Sequence, residues 1–447
     1  MNDKGGMSNL VESTRNSQLL KILFVGFLII ILQIPIAMIR DVVRERQTRQ
    51  QEAVEEIASK WGRQQSIIGP MLTIPYRYRI TETDRDGRQQ IRTELRDVSF
   101  LPDTLHVSGN TSCETRYRGI FKVPVYSAAL DLAGNFTRPD LSELGIDAND
   151  ILLDRAYLTL RISDARAITN QVTLKWNDQQ FYFLPGEGDC GQGFAGIHVP
   201  MKNNLSGESF KFSCRLDVNG SESLFFVPFG KETTVEIKSN WSNPSFQGNW
   251  LPNQRTISNE GFNAKWTIQY LGRNYPQKWK SDAKPDGAIS ESAFGIKFIT
   301  PVDYYRMAER SIKYEILFLV FTFAALWLFQ VLSKIRIHAI QYLLVGAGIC
   351  LFYLLELSLA EHIGFFLAYV CATLAVTVLI FFYCVAVLHG YLRGIIMSIV
   401  LLLLYGYLYI LLLNQDYALL VGSVCLFAVL AIIMYLTRKV DWYKAKD

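Results

Sequence analysis

Four residues carry titratable chemistry where the chain is otherwise soluble in hydrocarbon. Glu356 interrupts the run YLLVGAGICLFYLLELSLAEHIGFFLAYV (342–370), Glu361 and His362 follow it, and Asp416 stands between two later apolar runs. A charged side chain at a helix centre in a bilayer costs a few kcal/mol, about 2.5–3.5 for Asp, Lys or Arg on insertion scales, so it requires a partner, water or a proton. Gathered together, the four would line a vestibule in which Glu356 and His362 share a proton or contact a lipid headgroup or the exported domain. Standing alone, Glu356 is a snorkelling carboxylate at the headgroup boundary.

A second set lies in PVDYYRMAERSIKY (301–314), where Asp303, Tyr304 and Arg310 precede an apolar run and are candidates for fixing a junction between an exported domain and a membrane bundle. Other patterns lead away from catalysis. GEGDCG (186–191) matches G-x-G-x-x-G literally, but strand-like residues and Pro200 follow it rather than a helix that could face a pyrophosphate. His106 and His198 have no second ligand at a metal-binding spacing, and no H-E-x-x-H, C-x-x-C, G-x-S-x-G or Walker pattern occurs. The residues nominate no cofactor, no metal and no catalytic group. Aromatic residues crowd 241–279, among them Trp241, Trp250, Trp266 and Trp279; such rings stack on sugars, but they are also ordinary strand core.

The elements that must position these groups follow from hydropathy. Six apolar runs, 22–39, 314–332, 340–359, 363–388, 394–413 and 417–436, each have the roughly 17–25 residues that cross about 30 Å of hydrocarbon as a helix. The first is too long for a signal-peptide core and has no small-x-small site before Arg40, so it reads as an uncleaved anchor. Lys334, Arg336 and His338 follow the second run, His389 and Arg393 the fourth, and Arg438, Lys439, Lys444 and Lys446 the sixth. Basic loops favour the cytoplasm, which puts both termini inside and the segment between the first two runs outside. Arg40, Arg44, Arg46 and Arg49 argue the other way, but three basic loops outvote them. On this topology Glu356 sits about one turn from the outer end of its span, and Tyr405, Tyr407, Tyr409 and Tyr417 form an interfacial belt.

The exported segment opens as a helix, because Val54, Ile57, Ala58 and Trp61 recur at i, i+3, i+4 and i+7 and Gly62 ends the pattern. From Met71 the period becomes two, with Leu72, Ile74, Tyr76, Tyr78 and Ile80 on one face. Alternation returns at Leu158, Leu160 and Ile162 and again from Phe262 to Tyr270. Asp86-Gly87 and Asn219-Gly220 are hairpin signals of the type I′ kind, the latter with Ser221 exposed beside it. The expectation is a large β-sandwich. Of 7 cysteines, Cys113, Cys190 and Cys214 lie in this segment. Cys214 falls on the apolar phase of FKFSCRLDV and reads as a buried thiol; a Cys190–Cys214 disulfide is the alternative in an oxidising compartment. A net charge of +4 from 45 basic and 41 acidic residues, scattered rather than gathered on one face, argues against a nucleic-acid partner.

Several stretches together resemble the CreD family of inner-membrane proteins: WGRQQSIIGPMLTIPY from Trp61, RGIFKVPVYSAAL from Arg118, GIHVP from Gly196, WSNPSFQGNWLP from Trp241, LAEHIGFFLAY from Leu359 and YLTRKVDWY from Tyr435. None is a catalytic signature. The resemblance implies a Gram-negative inner-membrane protein linked to cell-envelope integrity and stress, and supplies no biochemical activity. The combined expectation is residues 1–39 as cytoplasmic tail and first span, 40–313 as a periplasmic β-sandwich with an N-terminal helix, and 314–447 as a five-helix bundle. Its function is then non-enzymatic, with the bilayer as one partner and an envelope lipid, glycan or protein as another. A transporter or flippase, or an enzyme acting on envelope lipid or peptidoglycan, are the alternatives.

Overall fold

A computed structural model describes residues 18–83, 89–186, 196–202, 204–299, 304–333, 335, 337–414 and 417–438. Cys190, Asp303, Asp416 and the Asp86-Gly87 signal lie outside the described residues. Eight α-helices appear among them: α1 (Gln18–Trp61), α2 (Asp286–Glu291), α3 (Tyr304–Lys313), α4 (Glu315–Leu332), α5 (Ala339–Ile363), α6 (Phe365–Val387), α7 (Tyr391–Leu413) and α8 (Ala418–Thr437). Helices α1 and α4 to α8 are long and apolar enough to cross a membrane. The chain divides into two compact units, Met1–Arg49 with Val302–Asp447, and Gln50–Pro301. The division falls inside α1.

In the helical unit α1 buries Leu28, Leu32, Ile36, Ile39 and Val43, a stripe at spacings of three and four. Helix α5 is the most buried span, with Tyr342, Val345, Ile349, Phe352, Tyr353, Glu356, Leu357 and Ala360 all enclosed. Its Gly346 lets α1 approach closely: a Cβ there would lie 2.3 Å from the Leu32 side chain. Since lipid tails are as apolar as leucine, such close packing and interhelical hydrogen bonds, not burial from water, hold the helices together. Helix α8 buries no residue.

The second unit is all-β apart from the end of α1 and the short α2, with two sheets of 9 and 8 strands. In the first sheet the long strand Gln65–Thr83 pairs antiparallel with Gln89–Phe100 and Tyr157–Ile162 and in parallel with Ser223–Phe226. The second sheet places Thr104–Arg118 between Phe121–Thr137, its antiparallel neighbour, and Glu232–Ser239, its parallel one. Leu72, Leu158 and Leu160 from one sheet and Leu130, Leu132 and Leu216 from the other belong to one hydrophobic cluster, the arrangement of a sandwich. The expected architecture, an all-β insertion between one N-terminal and five C-terminal apolar helices, is the observed one.

Details differ. The strand expected from Met71 starts at Gln65, and its inward face ends at Tyr76: Tyr78 is 39% exposed beneath the Arg96 guanidinium, 3.7 Å from its ring centre. Beyond that point the pair with Gln89–Phe100 outruns the core. Asn219-Gly220 is not a hairpin turn but part of the continuous strand Ser209–Ser221, and Ser221 is fully buried. The chain turns one residue later, at Glu222, with φ 59°. Gly220 is required for another reason: a Cβ would lie 2.3 Å from the Tyr126 ring, which is buried and held by a 2.7 Å hydrogen bond from its hydroxyl to the Ser223 carbonyl. Gly62 does end the helix, at φ 145° against the Asn219 carbonyl. The aromatic residues of 241–279 are largely core, with Trp266, Trp279, Phe262 and Tyr275 buried.

Gly220→Ala is therefore expected to destabilise the protein by about 1–3 kcal/mol, the cost of overpacking a well-filled site. A fall in the denaturation midpoint of the purified protein, followed by tryptophan fluorescence, would verify it; an unchanged midpoint would mean the Tyr126 ring can yield.

Candidate functional site

Helix α3 buries Tyr305, Ala308, Ser311 and Ile312 along one stripe and turns Arg306 and Lys313 to the exposed side. It breaks at Tyr314 and continues as α4, which opens with Glu315. The buried stripe meets α5 at two levels. The Ser311 hydroxyl donates to Glu356 Oε2 at 2.9 Å, and the Tyr305 hydroxyl donates to Glu361 Oε1 at 2.9 Å. Burial, with the Glu361 carboxylate beside it, pushes the Tyr305 phenol well up, so it keeps its proton and acts as the donor. Arg46 of α1 lies 3.7 Å from the same Glu361 oxygen.

Glu356 is fully buried, and its Oε1 has no hydrogen-bond partner among the described residues. The hydroxyls of Tyr353 and Tyr405 are likewise buried and without a partner there. Both rings lie within electrostatic range of Glu356, as does Tyr369, whose hydroxyl donates to the Tyr405 carbonyl at 2.6 Å. Phe352 packs on Tyr405 at 4.4 Å between ring centres. The second buried carboxyl, Glu315, opens α4, and its Oε2 likewise has no hydrogen-bond partner among the described residues.

Ion pairs engage three of the arginines beyond the first span: Arg44 lies 3.8 Å from Asp41, Arg46 lies 3.7 Å from Glu361 and Arg49 lies 2.6 Å from Glu45.

Placement of the remaining candidates is as follows. Glu356 is two turns, about 10 Å, from the C-terminal end of α5, not one. Glu361 and His362 are in the last turn of that helix rather than in a loop, and the single residue Gly364, at φ 82°, links α5 to α6. His362 is exposed while Glu356 is enclosed, so the two are not brought together. Arg310 donates to the Leu411 carbonyl at 3.1 Å, in the last turn of α7, where a cation offsets the helix dipole. Tyr304 packs on Tyr305 at 5.1 Å. Tyr405 is inside the bundle and not in an interfacial belt, whereas Tyr417 is 64% exposed. Cys214 is a free, buried thiol, pushed up to about 12 by burial. His198 Nδ1 lies 2.9 Å from the Gly186 carbonyl oxygen, and among the described residues no group of three or more His, Cys, Asp or Glu could hold a metal. Sequence reasoning missed Ser311, Glu315, Arg46 and Tyr353 as site residues. Gln33, the one polar residue in the apolar run 22–39, was the available signal that α1 carries a polar group into the membrane unit.

The family model described as "Inner membrane protein CreD" matches residues 17–443. The chain belongs to the CreD family. The inner membrane protein CreD of Escherichia coli (strain K12) is 34% identical over 420 residues, covering 93% of this chain and 91% of that one. A solved structure, native yeast LTA4 hydrolase, aligns at 8% identity and a TM-score of 0.20 over 52% of this chain and 35% of that one, too distant to bear on fold or activity. Membership of the CreD family and six apolar helices make this a multi-pass, envelope-associated protein of the inner membrane.

If Ser311 and Glu356 act as a pair, a double-mutant cycle of Ser311→Ala with Glu356→Gln in detergent will give a coupling of about 1–3 kcal/mol, the range for a buried hydrogen bond to a carboxyl. Tyr305→Phe with Glu361→Gln should behave alike. Additive effects at both levels would show that neither bond holds α3.

Proposed function

We propose that this protein is a non-enzymatic member of the envelope integrity and stress response, with a periplasmic β-domain that engages an envelope lipid, glycan or protein and a bundle that anchors that domain and relays its state. The observation that carries the reading is the attachment of α3. This helix follows directly in the chain on the last residues of the β-unit, and its buried face is fixed to α5 by the Ser311–Glu356 and Tyr305–Glu361 bonds. A segment leaving one unit is thus tied, by its first turns in the other, to the most buried span. Glu356 is wholly enclosed, which suits a positioning role better than contact with a substrate.

Conduction is the weaker alternative. Between the pair Gln330–Tyr342, at the far ends of α4 and α5, and the carboxyls Glu315 and Glu356, the buried side chains of those helices are mainly apolar, Leu319, Phe323, Leu326, Val345 and Ile349, with hydroxyls at Thr322 and Tyr353 among them and no Asp, Glu, Lys, Arg or His. A stretch without charged groups gives little of the path that transport of an ion or headgroup needs. A periplasmic β-domain and cytoplasmic termini are the orientation favoured by the basic loops at His338, Arg393 and Arg438, and a domain as long as the one that follows Arg40 translocates largely regardless of flanking charge.

In cells lacking the native protein, Glu356→Leu should fail to restore tolerance of envelope stress and Glu356→Gln should restore it only in part, both at unchanged protein level in the membrane. Full complementation by both variants would overturn the relay. Orientation is tested separately: a cysteine at Leu271, which is 82% exposed, should react with an impermeant maleimide in intact spheroplasts, and protection there until lysis would reverse the topology.

A further inference from the structure

The β-unit contains a hollow of about 650 Å³ where the chain crosses between sheets. The crossing, residues 138–156, joins Phe121–Thr137 of the second sheet to Tyr157–Ile162 of the first through three short 3₁₀ turns. It is fastened to its surroundings by the Arg79–Asp150 ion pair at 2.8 Å, by a hydrogen bond from the Leu152 amide to the Pro75 carbonyl at 2.9 Å, and by Lys278 with Glu143. Between these attachments the segment stands off and leaves the hollow.

Its floor is Leu141 and Leu205, both members of the sandwich core. Ile146 and Ile151, half-buried against that core, line its wall, and Leu153, 41% exposed, stands at the opening. Five aliphatic side chains converging on one concavity that opens from the intersheet core are more than a solvated loop requires. The size lies within the roughly 300–1,000 Å³ of small-molecule sites. The rim carries both signs. Arg138 is exposed and has no ion-pair partner among the described residues. Asp154 is exposed on the same rim, while Asp140 is committed to the Ser142 amide and hydroxyl, which hold its carboxyl below the usual range.

We propose that this hollow binds one acyl chain of a zwitterionic phospholipid, with the headgroup phosphate on Arg138 and its ammonium toward Asp154. The aliphatic part of the lining suits a hydrocarbon chain, and the two rim charges not committed elsewhere, Arg138 and Asp154, match a phosphate bonded through an ethanolamine to an ammonium. Both ends of the β-unit continue in the chain into helices of spanning length, so the protein that carries the hollow is itself held in a phospholipid bilayer. This deepens the reading that the β-domain engages an envelope component by naming its class, and it rests on that reading only for its biological purpose.

The test uses the full-length protein in maltoside detergent and a lysophosphatidylethanolamine carrying a diazirine near the end of its acyl chain. After illumination, mass spectrometry of the digest should find the adduct on peptides containing Ile146, Ile151 or Leu205. Arg138→Ala should weaken labelling there about tenfold, the loss expected for one hydrogen bond between charged groups, and Leu153→Glu should do at least as much. Unlabelled lysophosphatidylethanolamine should compete, whereas glycerophosphoethanolamine, which has no chain, should not. Adducts confined to the membrane helices, or β-unit adducts indifferent to both variants, would overturn the proposal, as would equal competition by a monoacylglycerol lacking the headgroup. Because adducts are mapped on purified protein, the result is independent of complementation by the Glu356 variants: a site confirmed here survives failure of the relay, and the converse holds.

Discussion

The hydrogen bond from Ser311 to Glu356 is the contact on which the rest of the helical unit depends. A carboxyl enclosed by a membrane bundle is tolerated only where a donor meets it, and here that donor belongs to a helix that does not span the membrane. Removing the carboxyl takes from α3 one of its two side-chain bonds to α5; removing the hydroxyl leaves a buried polar group unsatisfied. Either way the cost falls on the same junction. The ring of Tyr353, Tyr369, Tyr405 and Phe352 around it is consistent with a rigid socket, since these side chains pack on one another and few rotamers remain open to them.

A second constraint concerns charge. Beyond the first span Arg44, Arg46 and Arg49 meet Asp41, Glu361 and Glu45. Pairs on the exposed face of α1 add little stability. Arg46 with Glu361 differs, because that carboxylate is largely enclosed and also accepts from Tyr305, so loss of a partner would leave buried charge uncompensated.

In the β-unit the sandwich depends on close approach at a few glycines as much as on alternation. Gly220 lies under the Tyr126 ring and Gly62 under the Asn219 carbonyl, so the end of α1 and the strands Phe121–Thr137 and Ser209–Ser221 converge on one point. The Trp61 indole donates to the Tyr126 carbonyl at 3.2 Å, and the Arg116 guanidinium covers its ring at 3.6 Å. That point secures the last turns of α1 to the unit they precede.

What the sequence by itself determined was everything written in local periodicity. Six apolar runs of spanning length, the 3.6-residue period ending at Trp61 and the alternation around Leu158 and Phe262 each report one element's environment, so the two-part architecture and the family resemblance were legible without coordinates. Periodicity is silent on which side chain meets which. Asn219-Gly220 has the composition of a turn yet continues a strand, because a ring from a neighbouring strand, 94 residues away in sequence, occupies the space over Gly220. Glu356 was visible as an anomaly, but its donor, Ser311, is an unremarkable residue on another helix, and its depth depended on α5 running through Glu361 and His362 to Ile363. Pairing across elements is a property of packing, and only the tertiary structure decided it.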